Sequence, residues 1–141
     1  MKARIKVLLA DDSPVTRQSI SDYLKGLEDV ELCGVCENGR TAVETALREQ
    51  PDLMLLDMQM PVMGGLEAAR IFRSCLPAMA IILMTIHDHP EIRAACMSSG
   101  ADALISKAGL ARDFRNLVAT ALQAALSPQR RPIALAPVLA R

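Results

Sequence analysis

The sequence predicts an α/β fold: a doubly wound, five-stranded parallel sheet in the order 2-1-3-4-5, with helices on both faces. Three observations predict it. Short apolar runs alternate with stretches of helical period, five times over, in units of about 20–25 residues. Two of these runs, Leu53–Leu56 and Ala80–Met84, are apolar at every position, as in strands buried on both faces. The runs end in polar residues followed by helix-start or loop signals, the layout of right-handed strand–helix–strand crossovers.

Ile5 to Ala10 is the first strand and ends at Asp11-Asp12. Ser13-Pro14 then reads as an N-cap with proline at the first helical position, and Ile20, Leu24 and Leu27 form that helix's apolar stripe. Val30 to Val35 is the second strand, with Asn38-Gly39 as the turn after it. Val43, Ala46 and Leu47 mark a second helix, stopped at Gln50-Pro51. The third strand, Leu53 to Asp57, places a carboxylate at its end. Met60-Pro61 and Gly64-Gly65 punctuate the next loop, before a helix carrying Leu66, Ala69, Phe72 and Leu76. Ala80 to Thr85 is the fourth strand. Pro90 opens a helix with Ile92, Ala95, Cys96 and Ser99 on one face, and Gly100 closes it. Ala103–Ile105 is a brief fifth strand with Lys107 just beyond. The last helix, about 110–126, repeats Phe114, Leu117, Val118, Ala121, Leu122 and Ala125 at helical spacing.

Composition bounds the function. A chain of 141 residues, 51% hydrophobic, is read as one domain over residues 1–126. Residues 127–141 carry three prolines, three arginines and no acid, and are read as a flexible tail. Sixteen basic residues balance sixteen acidic ones, so charge gives no reason to expect direct nucleic-acid binding. No apolar run is long enough to span a membrane and no signal-peptide pattern opens the chain, so the expected location is cytoplasmic. Cys33 and Cys36 match C-x-x-C, but in a strand they point to opposite faces, and packing is expected of them. Met58, Met60 and Met63 are likewise read as packing residues.

In the 2-1-3-4-5 order, Asp11, Asp12, Asp57 and Thr85 share the C-terminal edge of the sheet, with Lys107 entering from the fifth strand. Asp11-Asp12 taken alone would be ordinary acids at a helix N-terminus. The convergence changes that reading. Two carboxylates 4 Å apart repel by about 4 kcal/mol at an effective dielectric near 20, so such a cluster is kept when a cation neutralises it. Hard oxygen ligands suit Mg²⁺ with a substrate phosphate, and an aspartate beside them is a nucleophile able to form an aspartyl-phosphate. His87 and His89 flank Asp88 in the loop after Thr85, where a solvated loop is expected in preference to a metal site.

The motifs Leu9-Ala10-Asp11-Asp12, Leu55 through Gly65, Met84-Thr85, and Gly100-Ala101-Asp102 leading to Lys107 resemble those of response-regulator receiver domains of two-component signalling. The similarity covers about residues 4–126 and is greatest to receivers of regulators with helix-turn-helix output domains. It implies a flavodoxin-like fold with Asp57 as phosphoacceptor. It further implies that Asp12, Asp57 and the Gln59 carbonyl bind Mg²⁺ directly, and that Asp11 acts through water. Thr85 and Lys107 would bind the phosphoryl group, and Gln59 and His87 would line its approach. The implied partners are a histidine kinase or histidine phosphotransfer protein and a downstream target or output domain. A homodimer on phosphorylation, through the fourth and fifth helices and the fifth strand, is a further implication.

Three positions depart from that pattern. Leu104 stands at the switch position where many receivers carry Tyr or Phe, Ala108 stands where proline is common, and Gly64 replaces a frequent aspartate. Two other function classes share part of this pattern. A phosphohydrolase with an Asp nucleophile would want a second Asp two residues on, where Gln59 stands, so no enzyme activity beyond self-catalysed phosphotransfer and slow autodephosphorylation is expected. A phosphorylation-independent binding module is kept open by Leu104, as is a receiver cut from a longer regulator.

Overall fold

The computed structural model describes residues 4–125. Strands and helices alternate: β1 (Ile5–Ala10), α1 (Pro14–Lys25), β2 (Val30–Cys36), α2 (Gly39–Glu49), β3 (Leu53–Asp57), α3 (Gly65–Cys75), β4 (Ala80–Thr85), α4 (Pro90–Ser99), β5 (Ala103–Ser106) and α5 (Leu110–Ala125). One turn of 3-10 helix, Lys107–Gly109, precedes α5. The strands are parallel and ordered β2-β1-β3-β4-β5, as the apolar runs predict. The expected domain boundary and tail lie outside the described residues.

Every residue of β3 and β4 is buried, because helices cover both faces of the sheet centre. On one face α1 meets α5, where the Tyr23 and Phe114 rings pack edge to face at 5.8 Å. On the other face α2 packs against α3, and α3 against α4. No helix among the described residues is long and apolar enough to cross a membrane.

Helix starts follow local chemistry. The Ser13 hydroxyl accepts from the Thr16 N–H at 3.3 Å, with Pro14 in the first turn. Asn38-Gly39, read from sequence as a turn, is instead the start of α2. The Asn38 side chain caps the Thr41 N–H at 2.9 Å, and Gly39 is the first helical residue. A Cβ on Gly39 would lie 2.4 Å from the Met63 carbonyl, so the loop after β3 rests on α2 only because this residue is glycine. Gly100 closes α4 at φ 94°, as expected of a left-handed cap.

Other expectations need correction. Leu47, placed on the apolar stripe of α2, is exposed; Ala42 and Ala46 take the inner face. β2 and β5 each run one residue further than expected, to Cys36 and Ser106. Register jumps between Val7–Leu32 and Leu8–Gly34, so Cys33 is the extra residue of a bulge and simple alternation fails there. Both cysteines of the C-x-x-C pattern are free thiols, Cys36 buried and Cys33 half-buried. Met58 is buried, and Met60 and Met63 pack against the core.

Candidate functional site

Parallel register brings the strand ends level. Ala10 pairs with Leu56, Asp57 with Met84, and Thr85 with Ser106. Asp11, Asp57, Thr85 and Lys107 therefore leave the sheet at one edge, within two residues of each other along the strand direction. The cleft they open holds about 470 Å³, and its walls include Asp12, Asp57, Gln59, Thr85, His87 and Lys107.

Asp11 is 0% exposed and Asp57 is 5% exposed. The Lys107 ammonium lies 2.7 Å from Asp11 Oδ2 and 3.2 Å from Asp57 Oδ1, one cation shared by two buried carboxylates. The carboxylate oxygens of Asp11, Asp12 and Asp57 lie within 4.8 Å of one another. Asp11 Oδ1 accepts the Ser13 N–H at 2.9 Å, and the buried Oδ2 faces the Lys107 ammonium. Three carboxylates gathered around a single ammonium fit a divalent cation.

The electrostatics agree with this. Burial, then the neighbouring Asp11 charge, pushes the Asp57 carboxyl up to about 6, against the opposing pull of Lys107. Burial works to lower the Lys107 ammonium, but its bonds to the two carboxylates win and raise it, so it stays charged.

The loop after β3 packs closely on the backbone of Asp57 and Met58. Gly65 N–H donates to the Met58 carbonyl at 2.9 Å, and a Cβ on Gly65 would meet the Asp57 carbonyl at 2.1 Å. The Gln59 N–H reaches Asp57 Oδ1 at 3.5 Å. Val62 sits at φ 69°, strained for a β-branched residue, in a tight turn closed by Met63 N–H on the Pro61 carbonyl at 2.7 Å.

Thr85 is placed at the cleft but is engaged elsewhere. Its hydroxyl donates to the His87 carbonyl at 2.7 Å and accepts the His87 N–H at 3.0 Å. Leu104 is not brought to the cleft; it is fully buried in β5 opposite Leu83. His87 and His89 stand exposed with ring centres 6.2 Å apart, and Asp88 pairs with Arg93 at 3.2 Å. The peptide bond before Ala108 is trans.

Sequence reasoning missed Arg17, whose guanidinium donates to the Asp11 carbonyl at 2.8 Å. Its position on α1 gave no signal, because the partner is a backbone group. It also missed the strain at Val62, since apolar character says nothing of φ.

The response regulator receiver domain family profile matches residues 7–119. The chain belongs to this family. It is a receiver domain of the two-component response-regulator type. It is 37% identical over 116 residues to the response regulator protein VraR of Staphylococcus epidermidis, covering 81% of this chain and 54% of that protein. To the transcriptional regulatory protein LnrK of Bacillus subtilis it is 28% identical over 103 residues, covering 73% of this chain and 47% of that protein. The receiver thus spans about half the length of these curated relatives. Among solved structures, the NarL signal receiver domain of Mycobacterium tuberculosis matches with TM-score 0.78 and 29% identity, over 88% of this chain and 98% of that one. The response regulator domain of Thermotoga maritima CheB shares the fold with TM-score 0.79 at 24% identity, over 89% of this chain and 99% of that one.

Proposed function

We propose that this receiver accepts a phosphoryl group on Asp57 from a phosphohistidine donor, a histidine kinase or histidine phosphotransfer protein, in a Mg²⁺-dependent reaction. The observation that carries the reading is Lys107 shared between the buried Asp11 and Asp57 carboxylates. Mg²⁺ held by Asp11, Asp12, Asp57 and the Gln59 carbonyl would neutralise charge on the transferred group.

The chain's own residues do the rest. An Asp57 carboxylate oxygen forms a bond to phosphorus as the bond from phosphorus to the donor nitrogen breaks. That electron pair stays on the imidazole, which takes a proton from water. An ionised carboxylate needs no general base. Lys107, already oriented at Asp57, pairs with the phosphoryl oxygens. Thr85 donates its hydroxyl to the same group and so gives up the His87 carbonyl. Gln59 and His87 limit the approach of water and so set the lifetime of the phosphoryl group. The domain acts as a switch for a downstream partner or output domain through its α4–β5–α5 face, and not as an enzyme with a separate substrate.

Acetyl phosphate and Mg²⁺ test the reading directly, with intact mass as readout. One added phosphoryl group on wild type and none on Asp57→Ala is expected. No addition to wild type would remove the proposal.

Buried Leu104 and the engagement of the Thr85 hydroxyl by the His87 backbone favour a second reading, a binding module whose partner does not depend on phosphorylation. The two separate on metal: a silent module gains no thermal stability from millimolar Mg²⁺, and a working site does.

A further inference from the structure

We infer that Arg17 is a positioning residue for the cation site: by holding the Asp11 carbonyl it sets the Asp11–Asp12 peptide and thereby where the Asp12 carboxylate stands. The inference rests on the phosphoacceptor reading and deepens it.

The three acids are not equally held. Asp57 belongs to a buried strand and meets Lys107 and the Gln59 N–H. Asp11 meets Lys107 and the Ser13 N–H. Asp12 is exposed and makes no hydrogen bond or ion pair with any described residue. Its position therefore comes from the backbone alone.

That backbone has left the sheet. β1 ends at Ala10, and the Asp11 N–H makes a last bond to the Cys36 carbonyl at 3.1 Å. The Asp11 carbonyl, one bond from the Asp12 nitrogen, then has no strand to donate to it. α1 supplies the donor from six residues on, Arg17 Nη1 at 2.8 Å, while the Arg17 N–H closes the first helical bond on Ser13 O at 2.9 Å. The peptide is thus clamped between the sheet behind it and the helix ahead. The Arg17 side chain is itself largely covered, with Glu37 at 3.8 Å; that partner is mostly exposed, so the ion pair adds little. The carbonyl bond is what positions. Outer groups of this kind tune metal affinity through the ligands they orient.

Charge and positioning make opposite forecasts. Removing a cation near a Mg²⁺ site by electrostatics alone strengthens metal binding. Losing the clamp weakens it. The experiment is Mg²⁺ titration by calorimetry, with the Mg²⁺-induced rise in melting temperature read against each protein's own metal-free value. Arg17→Met is expected to bind about tenfold more weakly, Arg17→Lys, which keeps a donor of similar reach, within about threefold of wild type, and Glu37→Gln unchanged. Arg17→Met binding as tightly as wild type or tighter overturns the inference. So does Arg17→Lys as weak as Arg17→Met, since both would then report general loosening. Should Arg17→Met not fold, Arg17→Gln, too short to reach the carbonyl, is read in its place. A wild type with no Mg²⁺ response overturns the phosphoacceptor reading itself, a result distinct from either of these.

Discussion

Asp57 holds its proton longer than a free carboxyl does. Its surroundings raise it from an ordinary 3.8 to about 6, by burial first and by Asp11 second. The sign for stability is the reverse of a salt-bridged aspartate. Between those two values the unfolded chain releases the proton while the folded chain keeps it, so this contribution falls as pH rises, and it levels off above about 6. Without metal, Asp57→Asn should therefore melt at a higher temperature than wild type near neutral pH, with the two converging near about pH 4. Millimolar Mg²⁺ should narrow the gap only above about pH 6, where the carboxylate is free to take it. Thermal melts across that range, with and without metal, check both statements. At the same scale Gly65 decides whether the site exists. Gly65→Ala drives a methyl into the Asp57 carbonyl, where no flexible side chain can yield. A loss of about 1–3 kcal/mol in urea denaturation and a sharply slower reaction with acetyl phosphate are expected.

At the scale of elements, the end of the sheet opposite the cleft is held by one arginine. From α3, Arg73 donates to the Gly100 carbonyl at 2.8 Å, to Met79 O at 3.0 Å and to Pro77 O at 3.1 Å. It also meets Asp102 Oδ2 at 3.0 Å, and that same oxygen accepts the Ile81 N–H at 2.8 Å. Three elements, α3, β4 and β5, are tied through two side chains. Asp102 is 1% exposed, so removing the guanidinium strips a buried carboxylate of its cation. Arg73→Ala should cost about 3 kcal/mol or more. A urea midpoint that falls with an unchanged slope is the expected result. The motif Gly100-Ala101-Asp102 is thus built into this tie, with Gly100 both capping α4 and giving its carbonyl to Arg73.

Over the whole molecule, the question is how an event at Asp57 reaches another surface. Thr85 bonds both backbone groups of His87, and the loop from Ile86 to His89 is exposed. Drawing the hydroxyl toward a phosphoryl group releases that loop directly. Leu104, within β5 and with no exposed surface, has no ring to swing. Phosphorylation should therefore raise amide exchange at His87 and leave the amides of Leu104 to Ser106 protected. Hydrogen–deuterium exchange with and without acetyl phosphate checks this, and an equal change along β5 would show that the leucine repacks as an aromatic would. The chain spans about half the length of the curated relatives it matches.

Strand order and the gathering of Asp11, Asp12, Asp57 and Lys107 were legible in the residues, because period, burial and parallel crossovers leave few arrangements of five such units. Capping at Ser13 and Gly100 was equally local and equally legible. Contacts between distant backbone and side chains were not. Whether Asn38-Gly39 turns the chain or starts a helix depended on Met63, twenty-four positions on, whose carbonyl takes the Gly39 N–H. The bulge at Cys33 depended on pairing with β1, and the strain at Val62 on how the loop meets α2. The direction of the Thr85 hydroxyl and the hold of Arg17 on the Asp11 carbonyl were decided by backbone groups that sequence does not distinguish from any others. The sequence by itself determined which chemical groups meet at the sheet edge, since their types and spacing are local. Only the tertiary structure decided which way they face, because hydrogen bonds to the main chain are settled by position and not by residue type.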